Sequence, residues 1–176
     1  MFEPLTFYKS ILVVGPQRAG SRIAAKCISA DTGYEYVDER MCGIGGSSHI
    51  ATMEQLEKRQ VVVRAPGMTF DVHEIVKEID SILVVMVHRN LDDILASQEK
   101  LNWQNEDFEL QKYGLKPGNG PSAAVKYEVW EIQKKGMPDM SYMDLVYVSL
   151  KRHPLFITKN LRRDWAWNQT TMETNG

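Results

Sequence analysis

Eight residues near the start of the chain have the types and spacing needed to grip an anion: Gly15, Pro16, Gln17, Arg18, Ala19, Gly20, Ser21 and Arg22. A glycine-bounded turn that enters a helix points several backbone N–H groups at one spot, and the helix dipole adds positive potential there. Arg18 and Arg22 add guanidinium groups, which suit bidentate phosphate contacts. Ser21 adds a hydroxyl donor. Two arginines in so tight a turn repel one another unless an anion lies between them, which favours an anion site over a plain strand-to-helix turn. A second set follows at Arg89 and Ser97. From Asp92 to Ser97 a helix rises roughly 7–8 Å. An extended arginine at the helix entrance covers that gap, so both side chains can hold one phosphate. Taken alone, this second set reads equally as a surface arginine paired with Asp92 or Asp93. The two sets in order carry the anion reading.

The first set has the G-x-x-x-x-G spacing of a Walker A loop, but the next pair is Ser21-Arg22 instead of Lys-Ser/Thr. The lysine that reaches the phosphates and the hydroxyl that holds Mg²⁺ are both displaced. This argues against an ordinary ATPase or nucleotide kinase. A divergent kinase in which Asp38 holds the metal through water is one alternative. A nucleotide-binding module without catalytic activity is another.

Short β-type runs alternate with helical stretches. Strands are predicted over residues 9–15, 34–38, 61–64, 81–87 and 145–150. The first and fourth are continuous apolar runs, as expected for strands buried on both faces. Helices are predicted over residues 21–30, 52–59, 71–79, 91–101 and 123–135, with Thr52 and Asp71 as N-caps. Asp92 and Asp93 sit in the first turn of the fourth helix, where they suit the helix dipole. Residues 41–48 (MCGIGGSS) read as a glycine-rich loop. Residues 102–121 are polar, end in KPGNGP, and read as an exposed loop, either a lid or a loose connection. The tail is expected to fray over residues 168–176. The alternation predicts a parallel sheet with helices on both faces, whose ligands bind beyond the C-terminal strand ends.

The bulk properties fit one domain spanning residues 1–176. Apolar residues make up 43% and charged residues 25%, which is wrong for disorder. A formal charge of −2 does not favour nucleic acid as a partner. The apolar run at residues 82–87 is too short to span a bilayer, and MFEPLTFYKS lacks the pattern of a signal peptide, so no membrane association is expected. Cys27 and Cys42 form neither a disulfide framework nor a metal motif. Cys27 falls on the inner face of a helix as a buried thiol. A reducing, cytoplasmic setting is expected.

With both sets in place, the sequence resembles the sulfotransferases that use 3′-phosphoadenosine 5′-phosphosulfate (PAPS). Their 5′-phosphosulfate loop reads like G-x-P-R-S-G-T-T or G-x-x-K-G-G-T-R. Gly15, Arg18, Gly20, Ser21 and Arg22 fall on that pattern, with Ala19 in place of Ser or Gly. Their 3′-phosphate motif reads like R-N-P-x-D-x-x-x-S. Arg89, Asn90, Asp93 and Ser97 match it, with Leu91 in place of proline. The resemblance covers roughly residues 9–101. Arg162 and Arg163, ahead of Asp164 and Trp165, are similar to the family's late basic segment that closes over the nucleotide.

The resemblance implies a three-layer α/β/α fold of P-loop type, with a central, mainly parallel sheet of about five strands. It implies transfer of a sulfuryl group from PAPS to a small-molecule or carbohydrate acceptor, leaving adenosine 3′,5′-bisphosphate. Arg18 and the loop amides would stabilise the bridging oxygen, Ser21 and Arg22 would hold the 5′-phosphate, and Arg89 and Ser97 the 3′-phosphate. No metal is required. The sequence departs from the family at residues 63–66, where Val-Arg-Ala-Pro stands in place of a K-x-H-x-P-like segment that carries a base histidine. Glu39 at the second strand's end is then the leading candidate for the base, ahead of Asp38, His49 and His73. Trp103, Tyr113, Tyr127 and Trp130 are candidates to line an acceptor or adenine pocket, or else to fill the core. The acceptor and the oligomeric state are not legible.

Overall fold

The structure is a computed structural model that describes residues 1–101 and 122–157. Five strands, β1 (Ser10–Val14), β2 (Glu35–Val37), β3 (Val61–Arg64), β4 (Ile82–His88) and β5 (Tyr142–Val146), form one sheet in the order β2-β3-β1-β4-β5. Every pairing is parallel. The helices among the described residues are α1 (Ser21–Thr32), α2 (His49–Leu56), α3 (Val72–Glu78), α4 (Leu91–Glu99) and α5 (Ser122–Lys134).

Parallel neighbours need helical crossovers, and crossovers cover both faces of a sheet. Every residue of β1 and β3 is accordingly buried. Ile11 and Val13 of β1 point to one face, where they join Ile23, Cys27 and Ile28 of α1 and Ile94 of α4. Leu12 and Val14 point to the other, with Leu56 of α2, Val72 and Ile75 of α3 and Trp130 of α5. The result is the three-layer α/β/α arrangement expected from the sequence. Both cysteines are buried, and neither is in a disulfide. Among the described residues, no helix is long and apolar enough to cross a membrane.

Four local expectations change. The second helix begins at His49 and is capped by Ser48, whose hydroxyl accepts from the Ala51 amide at 3.2 Å. Thr52 lies one turn inside it and donates back to the Ser48 carbonyl at 2.7 Å. Asp71 occupies the cap position of α3 but makes no side-chain cap hydrogen bond there. The last strand spans Tyr142–Val146, and Tyr147–Arg152 is a 3-10 turn. Its end is set by its neighbour: β4 finishes with His88 opposite Val146, so residues beyond have no strand to pair with. The glycine-rich stretch is more ordered than a flexible loop, folding into 3-10 turns at Glu39–Cys42 and Ile44–Gly46. The expected loop at 102–121 and the frayed tail at 168–176 lie outside the described residues.

Candidate functional site

The chain leaves β1 towards β2 and leaves β4 towards β5, in opposite directions across the sheet. Diverging connections open a crevice at the C-terminal ends of β1 and β4, where open α/β sheets bind ligands. The loop 15–22 lies on one side of it and the β4–α4 connection on the other.

Close approach shapes the loop. Gly15 has φ +134°, and a Cβ there would stand 3.0 Å from the Val87 carbonyl oxygen of β4. Gly20, the N-cap of α1, has φ +101°, and a Cβ there would overlap the Tyr147 ring. Only glycine suits both positions. The loop is also braced from below. The Gly15 amide donates to Thr69 Oγ1 at 3.1 Å, and Gln98 Nε2 of α4 donates to the Gln17 carbonyl at 3.1 Å. Lys126 of α5, fully buried, donates to Gln17 Oε1 at 2.8 Å.

Arg18 adopts φ +75°, a left-handed conformation that a non-glycine residue holds only where its surroundings enforce it. The enforcing contact comes from Arg89, whose Nη1 donates to the Arg18 carbonyl at 3.1 Å. Arg18 Nε in turn donates to Ser97 Oγ on α4 at 3.0 Å. The Arg89 guanidinium lies 4.8 Å over the Tyr147 ring and its Nε is 3.8 Å from Asp93 Oδ2. Three residues singled out from two motifs therefore meet, although Ser97 is partnered by Arg18 and not by Arg89. Asn90 sets the entrance of α4 by accepting from the Asp92 and Asp93 amides. Tyr127 receives the Arg89 amide on its hydroxyl at 3.0 Å.

A second cluster stands at the ends of β2 and β3, beside the first turn of α1. Arg64, 8% exposed, donates from Nε to Ser21 Oγ at 3.0 Å. Its Nη1 lies 2.7 Å from Glu39 Oε1, an ion pair too far out of line to be a hydrogen bond, and 4.0 Å from Asp38. Arg22 reaches the same carboxylates, at 3.6 Å from Asp38 and 3.7 Å from Glu39. The expected repulsion between Arg18 and Arg22 is thus relieved: each has its own partners, and for Arg22 these are carboxylates of the second strand's end.

Burial pushes the Asp38 carboxyl up, but hydrogen bonds from Tyr36 and from the Arg40 amide and side chain, with the Arg22 charge nearby, hold it below the ordinary value of 3.8. Burial and the bond to Asp38 push the Tyr36 hydroxyl up to about 12. A carboxylate with a depressed value stabilises the fold above its ordinary value and loses that contribution as pH falls through the folded value. The difference in unfolding free energy between the parent and Asp38→Asn is therefore expected to be constant above the ordinary value of 3.8 and to shrink below it. Denaturant titrations across that range measure it.

Gly15, Arg18, Ala19, Gly20, Ser21 and Arg22 lie together, with Arg89 and Ser97 across the crevice. Ala19 and Ser21 are buried, while Arg22 is half exposed. Glu39 lies in the second cluster. His49 stands beside Glu78 and His73 beside Glu74. Trp130 is fully buried in the core and Tyr127 is half-buried beneath Arg89. Arg162, Arg163, Trp103 and Tyr113 fall outside the described residues. Sequence reasoning missed Arg64, whose signal is an arginine closing the apolar run Val61-Val62-Val63 at a C-terminal strand end.

The residues fit an anionic group. Two buried side-chain nitrogens among the described residues lack a hydrogen-bond partner, Arg89 Nε and Arg64 Nη1, and both belong to this site. Buried donors of this kind are costly unless an acceptor meets them. Among the described residues, no group of three or more His, Cys, Asp or Glu is placed to hold a metal ion.

No family model matches the chain. No curated protein matches it. Among solved structures it is similar to the shikimate kinase of Acinetobacter baumannii in complex with shikimate, at 13% identity and a TM-score of 0.43, over 77% of this chain and 98% of that one. It is also similar to the YorR protein of Bacillus subtilis in complex with phosphorylated GDP, at 11% identity and a TM-score of 0.44, over 92% of this chain and 98% of that one. Likeness at this level assigns no activity to the chain.

Proposed function

We propose that the chain is a nucleotide-dependent transferase that takes PAPS as donor and moves its sulfuryl group to a hydroxyl or amine of a small-molecule or carbohydrate acceptor. The observation that carries the proposal is the meeting of Arg18, Arg89 and Ser97 at the crevice between β1 and β4. Arg18 belongs to the loop before α1 and Arg89 to the connection before α4, so the ligand proposed has two phosphate groups. Adenosine 3′,5′-bisphosphate is such a ligand; AMP has only one.

In sulfuryl transfer the acceptor oxygen or nitrogen attacks sulfur as the bond from sulfur to the bridging oxygen breaks. The acceptor proton leaves to a base, and negative charge gathers on the 5′-phosphate. The chain's part is positioning and charge stabilisation. Arg18 and the first amides of α1, which have no partner within the helix, meet the growing charge. Arg89 and Ser97 anchor the 3′-phosphate. Glu39 remains a candidate base, although its ion pair with Arg64 ties its carboxylate to the second cluster.

A second reading, a divergent P-loop kinase, is favoured by a different observation. Asp38 and Glu39 stand beside the loop at the end of β2, where carboxylates can hold Mg²⁺ through water. Arg22 and Arg64 compete with a cation for the same oxygens. A binding module without turnover is the third.

Turnover separates them. With radiolabelled PAPS and a panel of sugar, alcohol and amine acceptors, labelled product is expected from the parent. Arg18→Ala is expected to lower the rate about 100-fold or more, as for loss of a charge-stabilising donor, and to affect donor affinity less. Label transfer from ATP in the presence of Mg²⁺, and none from PAPS, would overturn the proposal.

A further inference from the structure

The loop lacks the lysine of a Walker sequence, and a different cation stands at the start of α1. Arg64 comes from β3, is 8% exposed, and puts Nε 3.0 Å from Ser21 Oγ. Ser21 is itself 2% exposed, so its hydroxyl has little access to water. A hydroxyl has one proton and two lone pairs. Because Arg64 occupies a lone pair as donor, the Ser21 proton must be aimed elsewhere. The remaining directions include the N-terminal amides of α1, where an anion would sit. Arg64 is held in turn by Glu39, whose Oε1 is 2.7 Å from Nη1.

We infer that Arg64 is a positioning residue of the anion site: anchored by Glu39, it fixes Ser21 as a hydroxyl that donates to the bound phosphate. The chain of contacts runs from the end of β2 through the end of β3 to the loop. It ties the loop's donor to the strand ends instead of leaving it to rotate. This rests on the proposed reading only in that the loop binds an anionic group; it does not depend on which nucleotide supplies that group.

The test is a double-mutant cycle on the full chain, with inorganic pyrophosphate as probe in calorimetric titrations and thermal melting as a control for folding. Ser21→Ala is expected to weaken binding about 5- to 10-fold, as for loss of one hydrogen bond. Arg64→Gln is expected to lose about as much, and the double variant no more than either single change. Arg64→Lys keeps a cation opposite Asp38 and Glu39 but lacks the planar Nε donor. It is expected to stay folded and to show the same coupling with Ser21→Ala, which guards against collapse of the glutamine variant. Independent, multiplied losses in the double variants would overturn the inference, as would full affinity in Arg64→Lys. Failure of the parent to bind pyrophosphate would overturn both the inference and the anion site. Pyrophosphate binding with intact coupling but no affinity for adenosine 3′,5′-bisphosphate would leave Arg64 in place and remove the PAPS proposal.

Discussion

Replacing Arg89 with alanine is expected to weaken binding of adenosine 3′,5′-bisphosphate about 10- to 150-fold while leaving AMP binding nearly unchanged. The range corresponds to about 1.5–3 kcal/mol for a charge-assisted hydrogen bond. Arg89 has the position for this effect. Its Nε is buried without a hydrogen-bond partner, and its guanidinium is fixed between the Tyr147 ring and the Arg18 carbonyl. The side chain is therefore preorganised, and little ordering cost is left for the ligand to meet. An equal loss for AMP would mean that Arg89 acts on the loop through Arg18 and not on a second phosphate. Calorimetric titration of both nucleotides against parent and variant decides between these.

The other large effect concerns the fold. Trp130→Ala is expected to lower the unfolding free energy by about 3–5 kcal/mol, a large part of the roughly 5–15 kcal/mol typical of a domain. The indole is fully buried among Leu12, Val14 and Met86 of the sheet. It packs edge-on to Tyr142 at 5.9 Å and donates from Nε1 to Asp144 Oδ1 at 2.6 Å. The cavity is the main loss. Asp144 keeps Lys134 at 3.0 Å and His88 at 2.6 Å, so its carboxylate is not stranded. Urea denaturation of parent and variant gives the difference. Below the transition the folded variant is expected to retain the parent's pyrophosphate affinity, because Trp130 belongs to the core cluster with Leu56, Val72 and Ile75 on the α2 and α3 side of the sheet. A matching loss of affinity would show that the α5 side of the core positions the loop more tightly than its contacts through Lys126 imply.

The sequence announces some parts of this structure and hides others, for physical reasons. The strand Val61–Arg64 reads directly, because a buried parallel strand needs an uninterrupted apolar run and a stop signal follows it at Pro66-Gly67. The last strand reads with shifted bounds, expected over 145–150 and formed at Tyr142–Val146, because Asp144 stands inside it. In the sheet its carboxylate is satisfied by Lys134, His88 and Trp130, and the strand stops where β4 stops. The spacing of Thr52 and Gln55 points to Thr52 as the helix start, and only backbone geometry selects Ser48.

The site divides in the same way. Loop glycines and arginines are visible because type and spacing carry their role. The partner of Ser97 is not, since Arg18 and Arg89 are both long enough to reach it. Arg64 is hidden for a different reason. It is 43 residues from Ser21 in sequence, so only the pairing of β3 with β1 brings the two together.

The most direct measurement is calorimetric titration of the parent chain with adenosine 3′,5′-bisphosphate, beside AMP and ATP with Mg²⁺. Micromolar binding of the bisphosphate, selective over both others and independent of Mg²⁺, is the result expected of paired phosphate sites at the β1 and β4 ends. Preferential binding of ATP with Mg²⁺ would contradict it and favour the kinase. Binding of none of the three would leave the crevice without the nucleotide role proposed for it.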